Sequence, residues 1–180
     1  MSSDNNIFHA MEFDISRLFA TKDLQVKKYL DATHEWDYVL ERAKYVPVGY
    51  TRSMMIYQEI YLKEFVEEYI NLSVVLFHNG TSVGVWPLAI KRIENNWVMG
   101  SNEGSVVEPI FVIELPLAVK KKIQTKCHEV LTDFCLLYNL QHWQGIYNVF
   151  GEGINEWHRR NMEKGATIRT FHDLYVDLSL

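Results

Sequence analysis

LSVVLFHNGTSVGVWPLAIKRIENNWVMG, residues 72–100, is the stretch on which the reading of this chain turns. Residues 73–78 form a short, nearly continuous apolar run rich in β-branched side chains, the composition of a buried strand. Asn79-Gly80 follows, and a type I′ turn needs φ > 0 at both of its central positions, which this dipeptide tolerates. Residues 81–91 read as a second strand. Glu94-Asn95-Asn96 makes another turn, and residues 97–99 return as a third strand. The stretch predicts an antiparallel meander. It speaks to fold and names no reaction.

Working outward, the 180 residues fit one domain, two at most. Hydrophobic residues make up 48% and charged residues 23%, which separates the chain from disordered sequences and is ordinary for a globular protein. The net charge is −5, so there is no basic excess to draw nucleic acid non-specifically. The one basic cluster, Lys120-Lys121-Lys122 with Lys126, reads as a solvated helix face. Cys127 and Cys135 stand eight positions apart on one expected helix, about 12 Å along its axis. A disulfide needs Cα atoms within about 7 Å, so the pair is expected unbridged. Two free thiols, an N-terminus without a signal-like core and no apolar run of membrane-span length lead to an expectation of a soluble, cytoplasmic protein.

Residues 7–20 carry scattered apolar side chains and read as a short strand and turn, or as an N-terminal arm (residues 1–23) packed on the body. Residues 24–30 read as a strand. Asp31 and Thr33 offer cap oxygens to a helix whose apolar face is Trp36, Val39, Leu40 and Ala43, ended by Pro47 and Gly49. Ser53 is placed to cap a second helix, reaching Tyr69, with Tyr61, Leu62, Phe65, Val66 and Tyr69 inward. After the meander, a loop of residues 100–109 precedes the longest helix, opened by Leu115 or Pro116 and running to Tyr138, with Leu137 on its apolar face. Residues 145–150 read as a buried strand and residues 151–153 as a turn. Asn155 is placed to cap a short helix that Gly165 closes. Residues 168–178 read as one or two final strands. The expected class is α/β (α+β), a mixed sheet with a central antiparallel meander flanked by helices.

That order, with Asp31…Trp36…Leu40 opening the first helix, SVVLFHNGTSVGVWPLAI in the meander and NMEKGATIRTFHDLYVDLS at residues 161–179, resembles the GNAT acyltransferase fold, and within it the first half of FemAB-like proteins. The resemblance covers residues 24–180. It implies an N-acyltransferase, or its first half, that moves an acyl group from a thioester or aminoacyl donor to an amine. The amine acceptors it suggests are amino-sugars and cell-envelope precursors. It also implies acyl-CoA or another acyl donor as a co-substrate rather than a tightly bound cofactor, and a second GNAT-like half as partner.

That chemistry makes demands on particular residues. The glycine loop that cradles a donor pyrophosphate in such enzymes would fall at residues 107–122, which contain no glycine and hold Pro109 and Pro116, neither with an N–H. The Tyr that protonates the leaving thiolate, four before a Gly, corresponds to Asn161, whose amide has no suitable acid. Tyr147 is the substitute nearest in sequence. Glu103 and Glu108, in the loop after the meander, are the candidate general bases, with Glu152 beside them. The seven histidines form no recognisable dyad; His128 follows Cys127 directly, and on a helix the two side chains diverge. No metal-ligand spacing occurs. A second reading is therefore open: a non-catalytic GNAT-like binding or dimerisation module, a homodimer included, without the acyl-CoA loop.

Overall fold

The computed structural model describes residues 3–94, 96–101, 105–142 and 156–165. Within them the chain is α+β, with helices packed on two four-stranded sheets. Asn79 and Gly80 both take positive φ, 50° and 79°, as a type I′ turn requires. They join β3 (Val74–His78) to β4 (Thr81–Trp86). β1 (Leu24–Lys28) pairs antiparallel with β3, and the short β7 (Ile110–Phe111) with β4, giving the order β1-β3-β4-β7.

The expected second strand is divided. Pro87 has no N–H to give to a ladder. β4 stops at Trp86, and β5 (Ala89–Ile93) starts again in the other sheet. The neighbouring strand breaks at the same level, at Leu72-Ser73, between β2 (Glu68–Asn71) and β3. The single mixed sheet expected from sequence is thus two sheets that share one bent two-stranded ribbon. The second sheet has the order β2-β5-β6-β8, with β6 (Asn96–Gly100) and β8 (Gln141–His142) parallel and its other pairings antiparallel. Parallel neighbours need a crossover, and α4 (Leu117–Tyr138) lies on it.

α1 (Ser3–Phe19) stands where a strand and turn, or an arm, was expected. Met11, Ile15 and Phe19 recur every four residues and enter the larger core with α4 and the second sheet, so this segment belongs to the core. α2 (Thr33–Glu41) buries Trp36 and Val39, but its N-cap is Ala32 and neither Asp31 nor Thr33 caps it. α3 (Arg52–Phe65) is capped by Thr51, whose Oγ1 accepts from Met54 N–H, two positions before the expected Ser53.

The inward face of α3 matches the expected one only at Leu62. Met55, Gln58 and Leu62 point in, while Tyr61 and Phe65 point out. The helix ends at Phe65, because Val66 is already extended and Glu68 is paired with Arg92. Tyr69 therefore belongs to β2. On β3, successive side chains go to opposite sides: Val74 and Leu76 to the larger core, Val75 and Phe77 to a smaller one under α2. Both faces are covered, which is why this strand reads as an unbroken apolar run.

α4 packs Ile123, Cys127, Val130, Leu131, Phe134 and Cys135 inward. Leu137, expected inward, is 54% exposed, while Cys135 and Tyr138 of the same turn meet the core. Asn139 ends α4 in the left-handed region at φ 51°, and Gly165, at φ 90°, follows α5 (Glu156–Glu163) as the sequence implied. The strands expected at 145–150 and 168–178, the 151–153 turn and the Asn155 cap lie outside the described residues.

Candidate functional site

The corner where the two sheets part is built from side chains that replace missing ladder bonds. Ser73 Oγ accepts from Leu88 N–H at 3.1 Å and donates to Leu88 O at 3.2 Å. The hydroxyl thus stands in for a strand acceptor at Leu88 N–H, while Leu88 O also accepts from Leu72 N–H at 2.9 Å. Ser101 Oγ donates to Pro87 O and accepts from Val107 N–H at 3.1 Å. Trp86 Nε1–H donates to Val107 O at 2.7 Å. Both serines are buried.

Glu108 follows Val107 directly. It is half-buried, and its backbone carbonyl accepts from the Tyr50 hydroxyl. Tyr50 is anchored in turn, its carbonyl accepting from Trp36 Nε1–H at 2.9 Å. Of the sequence-derived candidates, Glu108 is therefore fixed beside the corner by its backbone. Glu103, Tyr147 and Glu152 lie outside the described residues.

A second group lies where α4 meets α5. His128 on α4 meets Trp157 on α5; Gln124 stands one turn before His128 and Asn161 one turn after Trp157, and all four are at most 2% exposed. The His128 and Trp157 rings are 3.9 Å apart, centroid to centroid. Trp157 also meets Trp86 edge to face at 5.9 Å, so this joint adjoins the corner through one indole. Burial pushes the His128 imidazole down to about 4, and the positive charges of Lys164 and Arg160 add to that. The Trp157 backbone and Glu156 pull the other way, the former without reaching hydrogen-bonding geometry. At neutral pH the ring is uncharged, with one donor and one acceptor nitrogen.

Among the described residues, both His128 nitrogens, Gln124 Nε2, Trp157 Nε1 and both amide atoms of Asn161 have no hydrogen-bond partner. Such a concentration of unpaired buried polar atoms is unusual for a core. The sequence did hold a signal for it, two polar residues in the apolar stripe of the long helix. Nothing in it indicated what those residues would meet.

Other chemistry-bearing groups are placed as structure. Cys127 and Cys135 are buried free thiols, both pushed upward by burial, Cys135 to about 12. Of the lysine cluster, Lys122 pairs with Asp23, Lys126 with Glu129, and Lys120 lies over the Phe111 ring. Among the described residues no three His, Cys, Asp or Glu side chains come together as a metal site, and no helix is long and apolar enough to cross a membrane. An open groove of about 500 Å³ between α2 and the β3–β4 hairpin is lined by Lys27, His34, Glu35, Tyr38 and Phe77. Its cation, Lys27, is already engaged with Glu35 at 3.6 Å and with the Phe77 ring.

Fold and site together define an α+β domain with a braced corner between two sheets and a buried polar joint beside it. No protein-family model, curated protein or solved structure matches the chain.

Proposed function

We propose that this domain is a GNAT-like N-acyltransferase unit of the FemAB-like kind, or the first half of one. The observation that supports the reading is the order of elements after the meander: β6, the short β7, then α4 on the crossover, β8 parallel to β6, and α5. The resemblance implies a helix, a strand and a helix there, with its strand at residues 145–150, outside the described residues. In the proposed reaction an amine nitrogen attacks the acyl carbon of a thioester or aminoacyl ester. The C–N bond forms, the C–S or C–O bond breaks, and the proton lost by the amine is passed to the leaving group. Holding the two reactants side by side supplies most of the acceleration. Glu108 and Glu103 are the proposed bases and Tyr147 the proposed acid. The acceptor would be an amino-sugar or cell-envelope precursor amine, and a second GNAT-like half would complete the donor site.

A second reading, a GNAT-like module that binds without catalysing, is favoured by two placements. Pro116 occupies the N-cap of α4, where a donor loop would present amides, and Asn161 is buried where the acid would stand. Thermal denaturation with and without millimolar CoA or acetyl-CoA separates the two. A donor that binds the native state raises the melting temperature by mass action. An unchanged melting temperature with both compounds removes the stand-alone enzyme and leaves the module.

A further inference from the structure

Asn79 and Gly80 are the exposed tip of the β3–β4 hairpin, and their chemistry goes beyond the turn they make. In a two-residue turn the flanking residues, here His78 and Thr81, pair with each other and the central N–H groups are left over. The Asn79 N–H has found an acceptor, Asp23 O at 2.9 Å, which ties the tip to the start of β1. The Gly80 N–H has no acceptor among the described residues, and the Asn79 side-chain amide has no partner there either. A Cβ built at Gly80 would meet nothing within 4 Å, so the approach to its nitrogen is open. Asparagine is among the thermolabile residues. Here its amide carbon stands next to an unengaged backbone nitrogen, in water, with no side chain in the way.

Asparagines in the rest of the sheets and at α4 and α5 lack that combination. Asn71 engages both ends of its amide, Oδ1 with Ser73 N–H at 3.0 Å and Nδ2 with Glu59 at 3.3 Å. Asn96 donates to Glu94 O and is followed by the bulk of Trp97. Asn139 is followed by Leu140, whose N–H is bonded to Cys135 O at 2.8 Å. Asn161 is buried within α5.

We infer that Asn79 is a modification site, converted to aspartate and isoaspartate through a cyclic imide formed with Gly80. The Gly80 nitrogen, its proton taken by hydroxide or a buffer base, bonds to Asn79 Cγ. The Cγ–Nδ2 bond breaks, and ammonia leaves with a proton from solvent. Water then adds to either carbonyl of the imide. One opening gives aspartate; the other leaves the main chain running through Cβ and Cγ, which is isoaspartate. The two reacting groups are already adjacent, so ring closure costs only internal rotation. It needs Cβ and the Gly80 nitrogen eclipsed about the Asn79 Cα–C bond, which a closed type I′ turn does not offer. The reaction therefore passes through local opening of the tip. Isoaspartate lengthens the link between His78 and Thr81 by one main-chain atom and so weakens their pairing. It also sets a new carboxylate beside Asp23, which holds Lys122 and, at 3.5 Å, the His78 ring. The inference does not rest on the acyltransferase reading.

Incubation of the full chain at neutral and at mildly alkaline pH, followed by peptide mapping, tests it. The peptide carrying residue 79 is expected to gain the mass of an amide-to-acid conversion before any other described asparagine does. It should split into aspartate and isoaspartate forms, and react faster at the higher pH. In guanidinium chloride, where the tip is open, the same conversion runs faster still. Asn79→Gly keeps a Gly-Gly turn that accepts φ > 0 twice, and it abolishes isoaspartate in this segment. Its melting curve shows that it is folded. A different described asparagine reacting first in the folded chain overturns the inference. So does an Asn79 amide that survives many half-lives of the reaction in guanidinium chloride. Conversion to aspartate with no isoaspartate overturns it too, because only the imide gives both.

Discussion

His128 on α4 and Trp157 on α5 stack with ring centroids 3.9 Å apart, and neither the imidazole nitrogens nor the indole N–H has a hydrogen-bond partner among the described residues. Burial sets the requirement at this contact, since it favours the uncharged imidazole.

That requirement sets a pH dependence. In the unfolded chain His128 takes its proton near the ordinary histidine value of 6.5, and in the folded chain only near 4. Between those values the unfolded state binds more protons, so stability rises with pH across the window. The contribution is complete above about 6.5 and falls away as the solution is acidified toward 4. His128→Phe keeps a ring against Trp157 and removes the titration. Denaturation midpoints measured from pH 7 to 4 should fall less steeply in the variant than in the parent chain. Equal slopes would show that His128 is protonated alike in both states.

At the corner between the sheets, Ser73→Ala leaves Leu88 N–H buried without an acceptor. An orphaned buried group of this kind costs about 1–3 kcal/mol. Urea denaturation should show a lower midpoint with an unchanged slope, since the surface exposed on unfolding is the same. A loss below about 0.5 kcal/mol would mean that the corner does not depend on this hydroxyl.

Gly84 is required by space and not by its φ. A Cβ there would lie 2.7 Å from the Phe111 ring and 2.9 Å from Ile110 O. Gly84→Ala therefore pushes β7 away from β4, at a cost of about 1–3 kcal/mol for the overpacking. Adding Phe111→Leu should recover part of the melting temperature and no more, because the carbonyl clash belongs to the backbone. Complete recovery would show that the ring was the whole obstacle.

Features that are local in the chain were legible in its sequence. Asn79-Gly80 determines its own turn, and α4 is long enough for its apolar spacing to outweigh single exceptions. α1 was obscured because Phe13, 68% exposed, interrupts the Met11–Ile15–Phe19 stripe with an apolar residue on the wrong side. Of the expected inward face of α3, Leu62 is buried but Tyr61 and Phe65 are exposed, because hydrophobic periodicity says which residues share a side, not which side a neighbour will cover. Pro87 was visible, but its effect needed Ser73 and Ser101 to supply the bonds it withholds. For the candidate site, Glu108 was legible only as a loop carboxylate. The Gln124–His128–Trp157–Asn161 joint exists only once two helices far apart in the chain have met.

The rings of Phe19, Trp86 and Trp157 touch in sequence, edge to face at 5.9 Å each, and so tie the first helix to the last one described through the middle of the chain. Trp157 is the final piece of that row to leave the ribosome. Until it emerges, the indole of Trp86 has Phe19 on one edge but not Trp157 on the other, and the imidazole of His128 lacks its stacking partner. Contacts this remote in sequence raise the entropic cost of closing the row.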